Sequence, residues 1–209
     1  MIRILIADDH CIVRRGIKEI LLEEFHDASI SEVNDGTELL REARAGNWNI
    51  IISDLSMPGR NGLEILKQLK EEFPKLPVLI LSMHAENHYA IRSLRAGASG
   101  YLTKQSASEE LVNAVRKILE GRRYISDTVA EKLAQNLDQD VTGELHETLS
   151  DREFDVLKLI ASGNTISEIA NRLSLSLTTV STYRSRILLK TKMKTNAELT
   201  HYSIQNNLV

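Results

Sequence analysis

Two hydrophobic patterns alternate along the first half of the chain. Short continuous apolar runs predict strands buried on both faces, and apolar residues recurring every three or four positions predict amphipathic helices. The predicted strands are Ile2–Ala7, Ala28–Val33, Ile50–Asp54, Val78–Leu81 and Gly100–Leu102. The predicted helices run from about His10 to Glu24 and over Thr37–Ala45, Gly62–Phe73, Asn87–Ala96 and Ala107–Glu120. This alternation predicts an α/β fold with a doubly wound, five-stranded parallel sheet.

The pattern changes after Tyr124. A helix is predicted over Ser126–Leu137, and Asp138–Glu147 then carries four acids and no Lys or Arg, which is typical of a polar linker. We therefore expect a first domain over 1–122, a linker helix and acidic linker over 123–148, and a second domain over 149–209.

The second domain is predicted to be all-α. Ser150 and Glu153 have the spacing of an N-terminal capping box. The predicted helices are one from Ser150 to Ala161, Ile166–Leu173, one from Ser176 to about Thr191, and Ala197–Asn206. The short link Ser174–Ser176 is what a helix-turn-helix requires.

Composition narrows the class of protein. The chain has 209 residues and is 42% hydrophobic, enough for a core in each half, and no apolar run approaches the length of about 18 residues that spans a bilayer. It begins with a strand rather than a signal peptide, and its single cysteine, Cys11, allows no internal disulfide. We therefore expect a cytoplasmic protein without a membrane partner, in which Cys11 packs as a small apolar residue on the first helix.

Charge is distributed unevenly along the chain. From Leu149 onward eight Lys or Arg accompany five acids, so this segment carries +3 while the rest carries −6. Five of the basic residues lie between Arg184 and Lys194 with no acid among them. A basic second domain favours a polyanionic partner, with a solvated helix face as the alternative.

Acidic residues follow two of the predicted strands. Asp8 and Asp9 come after the first strand, and Asp54 ends the third. If these strands are neighbours, three carboxylates converge and repel one another, and oxygen ligands of this kind suit Mg²⁺. The alternative is that each acid is an ordinary strand-end or helix-capping residue.

Ser82 and Lys104 follow the fourth and fifth strands. Right-handed crossovers bring the carboxyl ends of parallel strands to one edge of the sheet, so both side chains join the acids there. Together with a divalent cation they would form a phosphoryl site: Lys104 neutralises oxygens, Ser82 donates a hydrogen bond, and Asp54 is the nucleophile. Taken singly, a surface lysine and a strand-end serine are the plainer explanation.

These residues resemble the receiver domain of bacterial two-component response regulators, a flavodoxin-like fold. The resemblance rests on Asp8-Asp9, Asp54 before Met57-Pro58-Gly59, Ser82 and Lys104, and covers roughly residues 1–122. It implies that Asp54 accepts a phosphoryl group from a sensor histidine kinase. It also implies that Asp9, Asp54 and the backbone carbonyl of Ser56 hold Mg²⁺, with Asp8 assisting.

The same resemblance assigns roles around the site. Ser82 and Tyr101 correspond to a switch pair that moves inward on phosphorylation. Ser56 and His84 each lie two residues past a site residue, at positions that tune the lifetime of the phosphoryl group. Gln105 follows Lys104, where many receivers have a proline with a cis bond, so no cis peptide is inferred.

The third helix of the second domain has two distinct faces. Leu177, Val180, Tyr183 and Ile187 form an apolar stripe, and the opposite face is small and polar. Such a face can approach base edges while basic residues and a helix start reach phosphates. The candidate DNA-binding residues are Thr178, Thr179, Ser181, Thr182, Arg184, Ser185, Arg186, Lys190 and Lys192, with Ser181, Thr182 and Ser185 facing bases. A helical domain for protein interaction is the alternative.

This segment resembles the LuxR/FixJ/NarL helix-turn-helix, on Leu149-Ser150, Arg152-Glu153, Glu168-Ile169-Ala170 and Thr179 to Arg184, with Tyr183 where many members have histidine. The two resemblances imply a regulator of transcription that binds double-stranded DNA and forms a homodimer when phosphorylated. One rival is a phosphatase or phosphotransferase, which the serine at position 56 disfavours because an acid is missing there. Another is a DNA-binding or scaffold protein with a vestigial receiver. We expect that the protein is not an enzyme.

Overall fold

The computed structural model describes residues 1–57, 60–83, 86–126, 129–131 and 145–209, and of residues 86–88 only the backbone. The chain divides into two compact units, Met1–Asn136 and Leu137–Val209. Most of the predicted linker helix and much of the acidic linker lie outside the described residues. Within the described ranges, no helix combines the length and the apolar character needed to cross a membrane.

The first unit is built on the predicted parallel sheet. Its strands are β1 (Arg3–Ala7), β2 (Ser29–Val33), β3 (Ile50–Asp54), β4 (Val78–Ser82) and β5 (Gly100–Thr103). All neighbours are parallel, in the order β2-β1-β3-β4-β5, so β1 and β3 lie side by side as the convergence of their acids requires. Every residue of β3 and β4 is buried, which explains why these strands are continuous apolar runs.

Helices flank the sheet in the part of this unit that the structure describes. They are α1 (Cys11–Glu24), α2 (Gly36–Ala45), α3 (Gly62–Glu72), α4 (Glu86–Arg95) and α5 (Ala107–Leu119). Asp35 and Asn61 cap α2 and α3 by accepting two backbone N–H groups each. One detail of the sequence prediction was wrong: Cys11 is exposed, because it is the first residue of α1 and the buried face of that helix is formed by Ile17 and Leu21.

The chain beyond α5 is tied to the edge of the sheet by Tyr124. Its N–H donates to the carbonyl of Ser99 at 2.9 Å, and it forms a parallel bridge with Gly100. Its hydroxyl donates to Glu110 at 2.5 Å, and the ammonium of Lys117 lies 5.4 Å from its ring centroid. A Cβ on Gly100 would lie 3.0 Å from the Tyr124 carbonyl oxygen, so glycine permits this close approach.

The second unit consists of helices in its described part, as predicted. A 3₁₀ helix (Leu145–Thr148) precedes α6 (Asp151–Ala161), α7 (Ile166–Leu173), α8 (Leu177–Thr191) and α9 (Asn196–Gln205). Capping boxes begin both α6 and α7, and the link from α7 to α8 turns through Ser174 in the left-handed region, at φ 54°. Phe154, Leu157, Ile169, Val180, Ile187 and Leu199 fill the core.

The 3₁₀ helix packs on this unit although it falls in the segment predicted to be linker. His146 is buried, and its Nδ1 lies 2.9 Å from the hydroxyl of Tyr202 on α9. The backbone N–H of His146 also donates to that hydroxyl. His146 therefore packs on the second unit, although the polar residues around it predicted a linker.

Candidate functional site

The acids after β1 and β3 meet at the carboxyl edge of the sheet. Ala7 pairs with Ser53, and this register places Asp8 beside Asp54. Asp8 and Asp54 are 1% and 2% exposed. Ligand atoms of Asp8, Asp9, His10 and Asp54 all lie within 4.8 Å of one another. The sequence prediction of converging carboxylates thus agrees with the geometry.

Lys104 joins the two buried acids. Its Nζ lies 2.6 Å from Asp8 Oδ2 and 2.7 Å from Asp54 Oδ2, and the lysine side chain is 7% exposed. The backbone N–H of Lys104 donates to the carbonyl of Ser82 at 2.8 Å, which fixes the lysine where β5 ends. One ammonium beside three carboxylates leaves the site with an excess of negative charge, which a divalent cation would balance.

Burial and charge act against each other on these side chains. Burial raises the pKa of Asp54, and the nearby Asp8 carboxylate adds to this; the bonds from Lys104 and the Ser56 N–H lower it without reversing the direction. Burial lowers the pKa of Lys104, but the two carboxylates outweigh burial, so its pKa lies above the ordinary value. The lysine therefore stays charged, and the site gains from further positive charge near Asp54.

The donor set fits a hard cation. Asp8 Oδ2 and Asp9 Oδ1 are buried oxygen atoms that lie 2.6 Å from Lys104 Nζ and 2.8 Å from His10 Nδ1. The N–H of Ser56 donates to Asp54 Oδ1 at 3.0 Å, which brings the Ser56 backbone to the same edge. Oxygen donors of this kind are those that Mg²⁺ prefers.

The predicted switch residues are both buried. Ser82 ends β4 and is 0% exposed, and Tyr101 on β5 is 1% exposed. Strands β4 and β5 pair directly, with Ile80 opposite Tyr101 and Ser82 opposite Thr103. The tyrosine ring thus already lies inside the unit. His84, predicted to tune the lifetime of the phosphoryl group, lies outside the described residues.

His10 was missed from the sequence. Its Nδ1 lies 2.8 Å from Asp9 Oδ1 and 3.3 Å from Asp8 Oδ1, and its N–H donates to Asp8 Oδ1 at 2.9 Å. The guanidinium of Arg14 also donates to the Asp8 carbonyl. The available signal was the position of His10 directly after the acid pair, at the junction of strand and helix.

On α8 the structure separates a polar face from the core. Val180 and Ile187 are 0% exposed, whereas the candidate base-facing residues are exposed. The hydroxyl of Thr182 donates to the Thr178 carbonyl at 2.9 Å, and that of Ser185 donates to the Ser181 carbonyl at 3.0 Å. In this arrangement these hydroxyls present acceptor lone pairs outward, which suit amino groups on bases.

The remaining DNA-binding candidates divide by their contacts. Thr178, Arg186 and Lys192 are exposed. Thr179 is engaged at the helix start, where its N–H donates to Ser176 Oγ at 3.1 Å, and the Nε of Arg184 donates to Asn196 Oδ1 at 2.7 Å.

On α8, Lys190 has a contact that the sequence did not indicate, and Leu177 departs from the sequence prediction. The Nζ of Lys190 lies 2.7 Å from Glu153 Oε2, so this lysine has an ion-pair partner inside the unit. Leu177, predicted to belong to the apolar stripe, is 56% exposed, because the first turn of α8 extends beyond the core. Val180 and Ile187 therefore account for the buried part of that stripe.

Comparison with known protein families matches both halves of the chain. Residues 4–116 match the response regulator receiver domain. Residues 147–203 match the bacterial regulatory proteins of the luxR family. The first match includes the acid cluster and Lys104, and the second includes the whole of α8.

Individual relatives align from end to end. Response regulator UvrY of Escherichia coli O6:H1 is 34% identical over 209 residues, covering 100% of this chain and 96% of the relative. Response regulator GacA of Pseudomonas protegens is 34% identical over 209 residues, covering 100% of this chain and 98% of the relative. The structure of RcsB from Salmonella enterica serovar Typhimurium, bound to promoter rprA in the presence of the phosphomimetic BeF₃⁻, is similar with a TM-score of 0.67 and 28% identity, covering 97% of this chain and 98% of that one.

Proposed function

The chain belongs to the two-component response regulators that join a receiver domain to a LuxR-type DNA-binding domain and regulate transcription, and from this we propose that phosphorylation of Asp54 controls its binding to DNA. The proposed domains are the receiver over 1–122, the linker over 123–148 and the DNA-binding domain over 149–209. The linker has Tyr124 near its start, bridged to the receiver sheet, and His146 near its end, packed on the DNA-binding domain. The observation that carries the proposal is the bridge from Lys104 to Asp8 and Asp54 beside a third acid.

In the proposed reaction a sensor histidine kinase supplies the phosphoryl group. An Asp54 carboxylate oxygen forms a bond to phosphorus as the phosphorus–nitrogen bond of the kinase phosphohistidine breaks. The electron pair returns to the imidazole, which takes a proton from water. Lys104, which bonds Asp54 at 2.7 Å before the reaction, neutralises a phosphoryl oxygen after it.

We propose that Asp9, Asp54 and the Ser56 carbonyl hold Mg²⁺, with Asp8 assisting. The bound ion supplies positive charge that offsets the developing charge on the phosphoryl oxygens. Ser56 and His84 would set how long the phosphoryl group persists, and Ser82 and Tyr101 would respond to its presence. We further propose that the protein acts in the cytoplasm, where the kinase and DNA are both accessible.

The protein is proposed to bind double-stranded DNA as a homodimer stabilised by phosphorylation. In each protomer α8 would enter the major groove. Ser181, Thr182 and Ser185 would face bases, and basic residues with the helix start would contact phosphates. The exposure of this face, beside a core of Val180 and Ile187, supports the assignment. The structural relative RcsB is described in DNA complexes that include dimers.

Phosphorylation of purified full-length variants tests the acceptor. With a small phosphodonor and Mg²⁺, wild type should gain one acid-stable, base-labile phosphoryl group, and Asp54→Asn should gain none. Asp27→Asn, which changes an exposed acid of the same unit, is the control and should label as wild type. Persistent labelling of Asp54→Asn at another residue would overturn the assignment.

A further inference from the structure

An exposed row of residues runs along α8. Leu177, Ser181, Ser185 and Leu189 follow one another at intervals of four, so they lie along one side of the helix. All four are exposed, with Leu177 at 56% and Leu189 at 78%. The two proposed base-facing serines therefore lie between two solvent-facing leucines, away from the core of the unit.

Leu177 occupies the end of this row that matters for base contact. It is the first residue of α8, directly after Ser176, whose Oγ caps the helix by accepting the Thr179 N–H at 3.1 Å. In a helix-turn-helix the residues at the start of the second helix contact the base edges. A large apolar side chain thus stands among hydroxyl-bearing residues where the helix would enter the groove.

The chemistry of a leucine restricts what it can meet there. It offers no hydrogen bond, so packing it against base donors or acceptors would leave them unsatisfied. The edges of the bases in the major groove carry one apolar group, the C5-methyl of thymine. An exposed leucine at this position therefore matches a thymine better than any other base.

We infer that Leu177 is a specificity-determining residue that packs against the C5-methyl group of a thymine in each operator half-site. This inference rests on the proposed function, since it requires α8 to lie in the major groove. Ser181, one turn further along the same row, would contact the neighbouring base pair. The preferred half-site then contains a thymine whose methyl group, rather than its hydrogen-bonding groups, is recognised.

Substitution of deoxyuridine for thymine tests the inference, because it removes the methyl group and keeps base pairing. An operator is first selected from a randomised duplex library with the full-length protein, and each thymine is then replaced in turn. At one thymine per half-site, wild-type affinity should fall about fourfold, the equivalent of ~0.8 kcal/mol for one buried carbon. Leu177→Ala should bind the thymine and uracil duplexes equally.

Leu189→Ala is the matched control, since it removes an exposed leucine from the far end of the same row and should keep the uracil effect of wild type. The inference is overturned if Leu177→Ala retains that effect, or if no replacement weakens wild type on an operator that it otherwise binds. In both cases the proposed function stands. Failure of wild type to select any duplex would overturn the proposed function and the inference together.

Discussion

The ammonium of Lys190 on α8 lies 2.7 Å from Glu153 Oε2 on α6, and the glutamate side chain is 4% exposed while the lysine is 39% exposed. The same carboxylate oxygen accepts the Ser150 N–H at 2.8 Å, so it serves both the helix cap and the ion pair. Lys190 thus links two helices of the DNA-binding domain, a role that its place in a basic segment did not indicate.

Lys190→Met should therefore destabilise the DNA-binding domain. Without the Lys190 ammonium the buried Glu153 carboxylate keeps the hydrogen bond from the Ser150 N–H. The free energy of unfolding should therefore fall by about 1–3 kcal/mol, towards the lower end because that bond remains. Urea unfolding of the full-length protein, followed by a probe in the second unit, measures this. Lys192→Met is the control. Because Lys192 is exposed, this variant should be as stable as wild type. Its plot of the logarithm of DNA affinity against the logarithm of salt concentration should be less steep by about one unit. Equal stability of the two variants would contradict the assignment.

The same pair predicts a dependence of stability on pH. Burial opposes ionisation of Glu153, but hydrogen bonds from Lys190 and Ser150 outweigh it and hold its pKa below the ordinary value of 4.5. A lowered pKa in the folded state adds stability above that ordinary value, and this contribution is lost as the pH falls through the folded-state pKa.

Glu153→Gln should accordingly lose more stability relative to wild type at pH 7 than in acid near the lowered pKa. Urea titrations of both proteins over this pH range, with the probe in the second unit, give the two curves. If the difference in free energy of unfolding between the two proteins stayed constant, or widened in acid, the Glu153 charge would contribute nothing to stability.

Gly100→Ala should destabilise the receiver. The new Cβ would lie 3.0 Å from both the Cβ and the carbonyl oxygen of Tyr124 and 3.1 Å from Ile118 Cδ1, so the backbone bridge at the sheet edge must shift. Overpacking of this kind costs about 1–3 kcal/mol. A Cβ on Gly16 in α1 would meet nothing within 4 Å among the described residues, so Gly16→Ala should stabilise the receiver by about 0.5–1 kcal/mol. Thermal unfolding of both variants decides whether Tyr124 approaches the sheet as closely as described.

Much of the receiver was predictable because its patterns are local. Continuous apolar runs such as Ile50–Ile52 identify strands, and an acid or lysine directly after a strand must reach the carboxyl edge of the sheet. The residues that converge there, Asp8, Asp54 and Lys104, therefore followed from topology. The start of the first helix of the second unit followed from the spacing of Ser150 and Glu153, whose capping box is present.

The features that the sequence did not predict depend on contacts between residues far apart in the chain. Glu153 and Lys190 are separated by 37 positions, and their pairing follows from the packing of α6 against α8, which no local pattern specifies. Tyr124 looked like the start of a linker because its partners, Ser99 just before β5 and Glu110 on α5, are distant from it in sequence. Leu177 fitted the periodicity of the apolar stripe, but periodicity does not say where along a helix the core ends.

Ser82 and Tyr101 are proposed to carry the response of the receiver to phosphorylation. Ser82 and Tyr101 are 0% and 1% exposed and lie on the adjacent strands β4 and β5. Moving a two-state equilibrium from mostly off to mostly on needs a differential of about 5 kcal/mol. A charge-assisted hydrogen bond from Ser82 to the phosphoryl group supplies roughly 1.5–3 kcal/mol, so Lys104 and repacking around Tyr101 must supply the rest.

Ser82→Ala should therefore still accept a phosphoryl group on Asp54 but show much weaker phosphorylation-dependent dimerisation and operator binding. Labelling, sedimentation and operator titration of the full-length variants separate acceptance from response. Ser93→Ala is the control, because it removes another fully buried serine, one on α4 whose hydroxyl has no hydrogen-bond partner among the described residues, and it should respond as wild type. Full coupling in Ser82→Ala would mean that the response passes through Lys104 and the metal site without this hydroxyl.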